Sequence, residues 1–217
     1  QVAVHQRPRV AILSGGDELV EIDGDPTGGR IVSSNSYSLA AQCREAGAEP
    51  IYLGIARDTP AELEAVLRRG LHCDVIMSSA GVSVGDHDYV RPVLEKLGCT
   101  LLFWGVDMRP GHPLVFGRFG ETGPLVFGLP GNPVAVMVTF YQFVRGALLF
   151  LQGRTNCFEL PLLRAASAKT IRKVPGRTEY QRGVIYREDG EWRVRTTGQQ
   201  GSGVLRSMSE ANCFIVL

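Results

Sequence analysis

Three short stretches of this chain combine hydroxyl and carboxylate groups, two of them with glycines, in a pattern suited to phosphate and metal chemistry. The longest, Ser79-Ala80-Gly81-Val82-Ser83-Val84-Gly85-Asp86-His87-Asp88, directly follows the apolar run Asp74-Val75-Ile76-Met77. An apolar run ending in small residues and then carboxylates reads as a buried strand opening into a ligand loop. Gly81 and Gly85 let the backbone approach a ligand closely. Ser79 and Ser83 offer hydroxyls, and free loop N–H groups can form a nest for phosphate oxygens. Asp86 and Asp88 are unsuited to touching phosphate but suited to holding Mg²⁺ against it. The plainer alternative is a strand-to-helix turn with an aspartate cap.

Two further loops supply carboxylates. Ser14-Gly15-Gly16-Asp17-Glu18 follows the β-branched run Arg9–Leu13, and Ala56–Thr59, with Asp58, follows Ile51–Ile55. Glu18, Asp58 and Asp88 thus come from three loops. One divalent cation takes oxygen ligands with geometric freedom and could bridge them to a phosphate, stabilising charge in a phosphoryl or anhydride transition state. Each has a simpler reading: Asp58 beside a helix dipole, Glu18 solvated, Asp88 a helix cap. Arg109-Pro110-Gly111-His112-Pro113 is a stiff turn with two basic side chains, the arginine offering a planar fork to oxyanions. In Gly128-Leu129-Pro130-Gly131-Asn132-Pro133 a glycine turn precedes a helix start, an arrangement that binds anions, with Asn132 as cap and Pro133 at the first position.

These loops need a frame. Ser34-Asn35 caps a helix through Glu45, and Thr59-Pro60-Ala61-Glu62 is a capping box opening a helix to about Gly70. A helix over Tyr89–Leu97 and a strand over Leu101–Val106 follow. Strands alternating with helices predict βαβ crossovers, so the fold class is α/β, a three-layer mainly parallel sheet with ligand loops beyond the strand carboxyl ends. Leu114–Phe116 and Leu125–Phe127 read as a hairpin, and Val134–Leu151 as a long apolar helix. Short alternating runs after Gly153, with turns at Asp189-Gly190 and Gly198, predict a small all-β domain. The expected division is 1–153 and 154–217.

Composition narrows the function classes. A net charge of +1 argues against a nucleic-acid surface or a polybasic membrane patch. The five cysteines are widely spaced with no CxxC pair, which suits free buried thiols in a reducing cytoplasm rather than zinc or disulfides. Val134–Leu151 carries Gln142 and Arg145 near its centre and reads as a buried or interface helix, not a membrane span. No P-loop, GxGxxG, HExxH or GxSxG pattern is present.

Taken in order, Ser14–Leu19, Ser34-Asn35-Ser36-Tyr37, Gly81–Tyr89, Pro110-Gly111-His112-Pro113 and Gly128–Pro133 closely resemble the molybdopterin molybdenumtransferase family, relatives of the gephyrin E domain. Arg177-Thr178-Glu179-Tyr180 and Gly201–Asn212 resemble that family's C-terminal β domain. The resemblance implies molybdenum insertion from molybdate into adenylylated molybdopterin, with Mg²⁺ and release of AMP. It implies Asp88 as leading Mg²⁺ ligand, with Glu18 and Asp58 as further metal and catalytic groups. Gly15, Gly16, Asp17, Ser79, Gly81, Ser83, Gly85, Arg109, Gly111, His112, Pro130, Gly131, Asn132, Pro133 and Arg177 would contact substrate.

The chain departs from the family where Arg109 and His112 stand in place of two usual lysines, and where Gly105 replaces a third found in some members. Family members also carry an upstream dimer arm and small domain, so a homodimer is implied and those domains are expected to be missing here. A non-catalytic molybdopterin-binding module and a molybdopterin adenylyltransferase are the alternatives.

Overall fold

The structure is a computed structural model that describes residues 2–79 and 89–217. In chain order it has β1 (Arg9–Gly15), β2 (Leu19–Val20), β3 (Ile31–Val32), α1 (Ser34–Glu45), β4 (Glu49–Ala56), α2 (Pro60–Gly70) and β5 (Val75–Ser79). Then follow α3 (Val90–Lys96), β6 (Cys99–Trp104), β7 (Met108–Arg109), β8 (Val115–Phe119), β9 (Leu125–Leu129) and α4 (Pro133–Thr139). A π-helical turn, Phe140–Val144, joins α4 to α5 (Arg145–Leu151). The rest comprises β10 (Ala166–Ser167), β11 (Thr178–Glu188), β12 (Glu191–Thr196), α6 (Arg206–Ser209) and β13 (Cys213–Val216).

The main sheet has the order β4-β1-β5-β9-β8-β6. β4, β1, β5 and β9 run parallel, β8 is antiparallel to β9, and β6 is antiparallel to β8. Every strand of this sheet except β8 therefore delivers its carboxyl end to one edge. The expected mainly parallel α/β sheet is the one observed. The hairpin read from Leu114–Phe127 is present too, but it is not an appendage. β9 is the central neighbour of β5 and completes the sheet.

Strand alternation divides the core in two. Val10, Ile12, Val75 and Met77 face α1, α4 and α5, packing with Leu39, Val136, Phe140, Val144 and Leu148. Ala11, Leu13 and Ile76 face α2 and α3, packing with Leu63, Leu67, Val93 and Leu94. A strand buried on both faces reads as an unbroken apolar run, as β1 and β5 do. Each such aliphatic side chain contributes about 1.5–3 kcal/mol by burial. The apolar stretch Pro133–Leu151 has a mean hydropathy of 1.8 and is long enough to cross a membrane, yet 56% of it is buried against this core. It reads as a core helix.

The helix starts differ in how they are satisfied. Thr59 Oγ1 accepts the Glu62 N–H (3.4 Å) with Pro60 in the first turn, as the capping box predicts. The Glu62 carboxylate reaches back to Arg57 N–H (3.2 Å), two residues beyond the usual partner. The expected cap by Ser34-Asn35 is not found. Ser33 precedes α1 without a side-chain cap, and Ser36 Oγ donates to Ser33 C=O (3.1 Å). Asn132 likewise makes no side-chain cap on α4. Ser202 C=O instead accepts the Val134 N–H (3.0 Å), so a distant loop takes up one of the donors expected at that helix start.

A second sheet follows the order β10-β12-β11-β13. β11 and β12 form a two-residue hairpin at Asp189-Gly190, both with positive φ (51° and 83°), the I′ geometry that suits Asp-Gly. β7 pairs in parallel with the start of β11, Met108 opposite Thr178 and Arg109 opposite Glu179. Strand pairing thus runs across the division expected at 153.

Candidate functional site

The carboxyl edge of the sheet gathers the first two carboxylate loops. Asp58 N–H donates to Asp17 Oδ1 (3.2 Å) and Asp17 N–H to Asp58 Oδ2 (3.4 Å), a reciprocal clasp between the β1 and β4 loops. Arg57 Nη1 adds a bond to Asp17 C=O (3.2 Å). Gly16 N–H donates to Ala56 C=O (3.2 Å). Glu18 is folded over Gly16: a Cβ on that glycine, whose φ is +143°, would lie 2.6 Å from Glu18 Oε2. The missing side chain of Gly16 is therefore what gives the Glu18 carboxylate its seat.

Beneath these loops lies a buried hydroxyl cluster. Ser14 Oγ accepts from Ser33 Oγ (2.9 Å) and Ser79 Oγ (3.2 Å), and Ser33 Oγ lies 3.3 Å from Ser36 Oγ. This joins the ends of β1 and β5 to the start of α1. Asn35 Nδ2 donates to Gly131 C=O (2.8 Å), which ties α1 to the Gly128–Pro133 turn. In that turn Pro130 is buried, while Gly131 and Asn132 are exposed. Tyr52 Oη is 2.9 Å from Glu21 Oε1, and burial, reinforced by Glu21, pushes its hydroxyl up to about 12.

The Arg109–Pro113 turn is built from β7 and anchored elsewhere. Arg109 Nη1 lies 3.5 Å from Glu179 Oε1, and the other Glu179 oxygen accepts from Gln181 Nε2 (2.9 Å). The fork proposed for an oxyanion thus has a carboxylate neighbour in this structure. His112 Nδ1 donates to Val106 C=O (2.8 Å), leaving Nε2 as the ring's outer nitrogen. Gly111, with φ +110°, presses on α4: a Cβ there would come within 2.5 Å of Thr139 Cγ2. Arg177 is exposed directly before β11, where Thr178 N–H donates to Asp107 C=O (3.0 Å), so it sits at the base of the same turn. The described contacts of this turn run to β11, Val106 and α4 rather than to Glu18 or Asp58.

Gly81, Ser83, Gly85 and Asp88, with Ala80, Asp86 and His87, lie outside the described residues. Among the described residues no three His, Cys, Asp or Glu side chains form a group able to hold a metal ion. Asp58 nonetheless has a second carboxylate oxygen beyond the clasp, a hard donor of the type Mg²⁺ takes.

Sequence reasoning missed Arg182. It is 1% exposed, with its guanidinium donating to Ser207 Oγ (3.0 Å) and Gly201 C=O (3.1 Å), while Gln200 Oε1 accepts its backbone N–H (2.7 Å). Burial holds its pKa below the usual arginine value. It braces the 200–207 loop that presents Ser202 to α4. The strand gave no periodic signal for it, because Gln181, Arg182 and Gly183 are buried in succession.

Residues 11–149 match a family model described as "Probable molybdopterin binding domain", and residues 164–217 match "MoeA C-terminal region (domain IV)". A molybdopterin molybdenumtransferase of Nostoc sp. is 40% identical over 100% of this chain and 50% of its own length. Gephyrin of Dictyostelium discoideum is 34% identical over 97% of this chain and 34% of its own. The crystal structure of a molybdopterin biosynthesis MoeA protein from Pyrococcus horikoshii superposes with a TM-score of 0.76 at 27% identity, covering 97% of this chain and 50% of that one. The chain spans about half the length of the curated transferases it matches.

Proposed function

Because the chain belongs to the molybdopterin-binding domain family and matches the C-terminal portion of the molybdopterin molybdenumtransferases, we propose that it acts in molybdenum cofactor biosynthesis. Molybdenum from molybdate is inserted into adenylylated molybdopterin and AMP is released. The observation that carries this reading is the reciprocal Asp17–Asp58 clasp, which brings two carboxylate loops and the Glu18 seat to one edge of the sheet. In this reading residues 1–153 form the molybdopterin-binding unit and 154–217 the β unit, and the protein works as a cytoplasmic homodimer.

Asp88, Asp58 and Glu18 would hold Mg²⁺, which supplies charge neutralisation at the phosphates between which the bond breaks. The Gly131–Pro133 turn orients the pterin phosphate, while the buried Ser14, Ser33 and Ser79 hydroxyls fix the strand ends beneath it. Gly15, Gly16 and Asp17, with Gly81, Ser83 and Gly85, are the further residues assigned to the substrate in this reading. Arg109, Gly111, His112 and Arg177 form the molybdate-facing side, where Arg109 must exchange Glu179 for the oxyanion.

The test is molybdate-dependent AMP release from adenylylated molybdopterin. Removing a carboxylate that holds the metal forfeits several kcal/mol of transition-state stabilisation, so Asp58→Asn and Asp88→Ala should each slow release about a hundredfold or more. Chelation of Mg²⁺ should do the same. Equal turnover in Asp88→Ala overturns the metal role. The Arg109–Glu179 ion pair favours a second reading, a binding module without turnover. Molybdopterin binding by calorimetry with AMP release at background would select it.

A further inference from the structure

β6 ends at Trp104 on the same edge of the sheet as the carboxylate loops. The neighbouring aromatics do not share its fate. Phe103, Phe116 and Phe127 stack in a row, with centroids 5.5 and 4.9 Å apart, on the face of α1 and α4. Trp104 turns to the opposite face, half-buried against the core beneath α3. Over its ring, 5.6 Å from the centroid, lies the guanidinium of Arg91. Arg91 Nε is held by Glu95 Oε1 (3.0 Å), and its side chain is 58% exposed. The residue after Trp104 is Gly105, where a Cβ would lie 3.8 Å from His112 Cε1. A tethered guanidinium over an indole, one residue from the His112 turn, therefore stands at the rim where α/β sheets bind ligands.

From this we infer that Arg91 and Trp104 form a stacking platform for a flat, bicyclic heteroaromatic ring of the substrate. This rests on the function proposed above. Such rings stack on aromatic faces and guanidinium planes, and contribute more when partly removed from water. Two parts of an adenylylated pterin have this chemistry, the purine and the pterin.

Trp192→Phe leaves Trp104 as the chain's one tryptophan and a fluorescent reporter. The full chain carrying that change is titrated with AMP, with 6-hydroxymethylpterin and with ribose 5-phosphate. Quenching by AMP identifies the purine as occupant, and quenching by the pterin identifies the pterin. Ribose 5-phosphate should leave the emission unchanged. Read by calorimetry, since the Trp104 variants lack the reporter, Arg91→Ala, at an exposed position, and Trp104→Leu should each raise the Kd of the quenching ring about tenfold, with Trp104→Phe restoring most of it. If Trp104→Leu folds poorly, Arg91→Ala, which keeps the Trp104 reporter, reads the loss by quenching and by calorimetry alike. Absence of quenching by either ring, or equal affinity in Arg91→Ala and Trp104→Leu, overturns the platform. If AMP release from adenylylated molybdopterin persists alongside that result, the proposed function stands without it. Loss of both removes the two together.

Discussion

At the scale of single residues, what matters is which atoms already have partners. Gly16 has no side chain because the Glu18 carboxylate occupies that space. Gly16→Ala should therefore dislodge Glu18 and strain a positive φ. The expected result is a modest loss of stability, about 1 kcal/mol by urea unfolding, with a larger fall in AMP release. A variant that unfolds more easily but turns over normally would separate Glu18 from catalysis. Much at this scale was legible in the sequence, since glycine, serine and carboxylate clusters state their chemistry locally. The partners were not. Glu179 and Ser202 lie far along the chain from Arg109 and Val134, and nothing in a turn's own composition announces a distant carboxylate or carbonyl. Arg182 was invisible for the same reason, its acceptors being supplied by the 200–207 loop.

Elements translate these residues into positions. α2 begins where Asp58 must be held, and its cap does both tasks: Thr59 takes the Glu62 N–H, while Glu62 takes the Arg57 N–H beside the clasp. Thr59→Ala should cost about 1 kcal/mol in thermal or urea unfolding. It should also weaken Asp58 placement, read as a higher Mg²⁺ requirement for AMP release, whereas Thr59→Ser should restore both. Periodicity and cap chemistry made α2 legible to its first residue. They misplaced the caps of α1 and α4, because a Ser or Asn before a helix is a candidate and tertiary bonding decides its use. β2 and β3, two residues each, carry no periodic signal at all. The π turn in the long apolar helix was equally silent, since the hydrophobic stripe continues on either side of it.

For the whole molecule, burial of ionisable groups sets how stability responds to alkali. Burial pushes the Cys43 thiol from 9.0 up to about 12 and Cys99 up to about 11. Folded, these groups keep their protons; unfolded, they release them at ordinary values. The unfolded chain therefore binds fewer protons above pH 9, and stability falls as pH rises from about 9 to about 12. Urea midpoints should drop between pH 8.5 and 10.5, and Cys43→Ala should flatten part of that drop. A midpoint indifferent to pH over this range would contradict the burial of these groups. The α/β class and the β tail could be read from alternating patterns, whereas the insertion of β9 between β5 and β8 could not, because a short hairpin gives no sign of where it will dock. That insertion bears on synthesis. As the chain leaves the ribosome, β1, β4 and β5 emerge with the fully buried strand Val75–Ser79 still an open edge. It stays so until Leu125–Leu129 and the apolar helix behind it are translated, so the nascent protein passes through a stage at which a chaperone, or another unfinished copy, competes for the place of its own ninth strand.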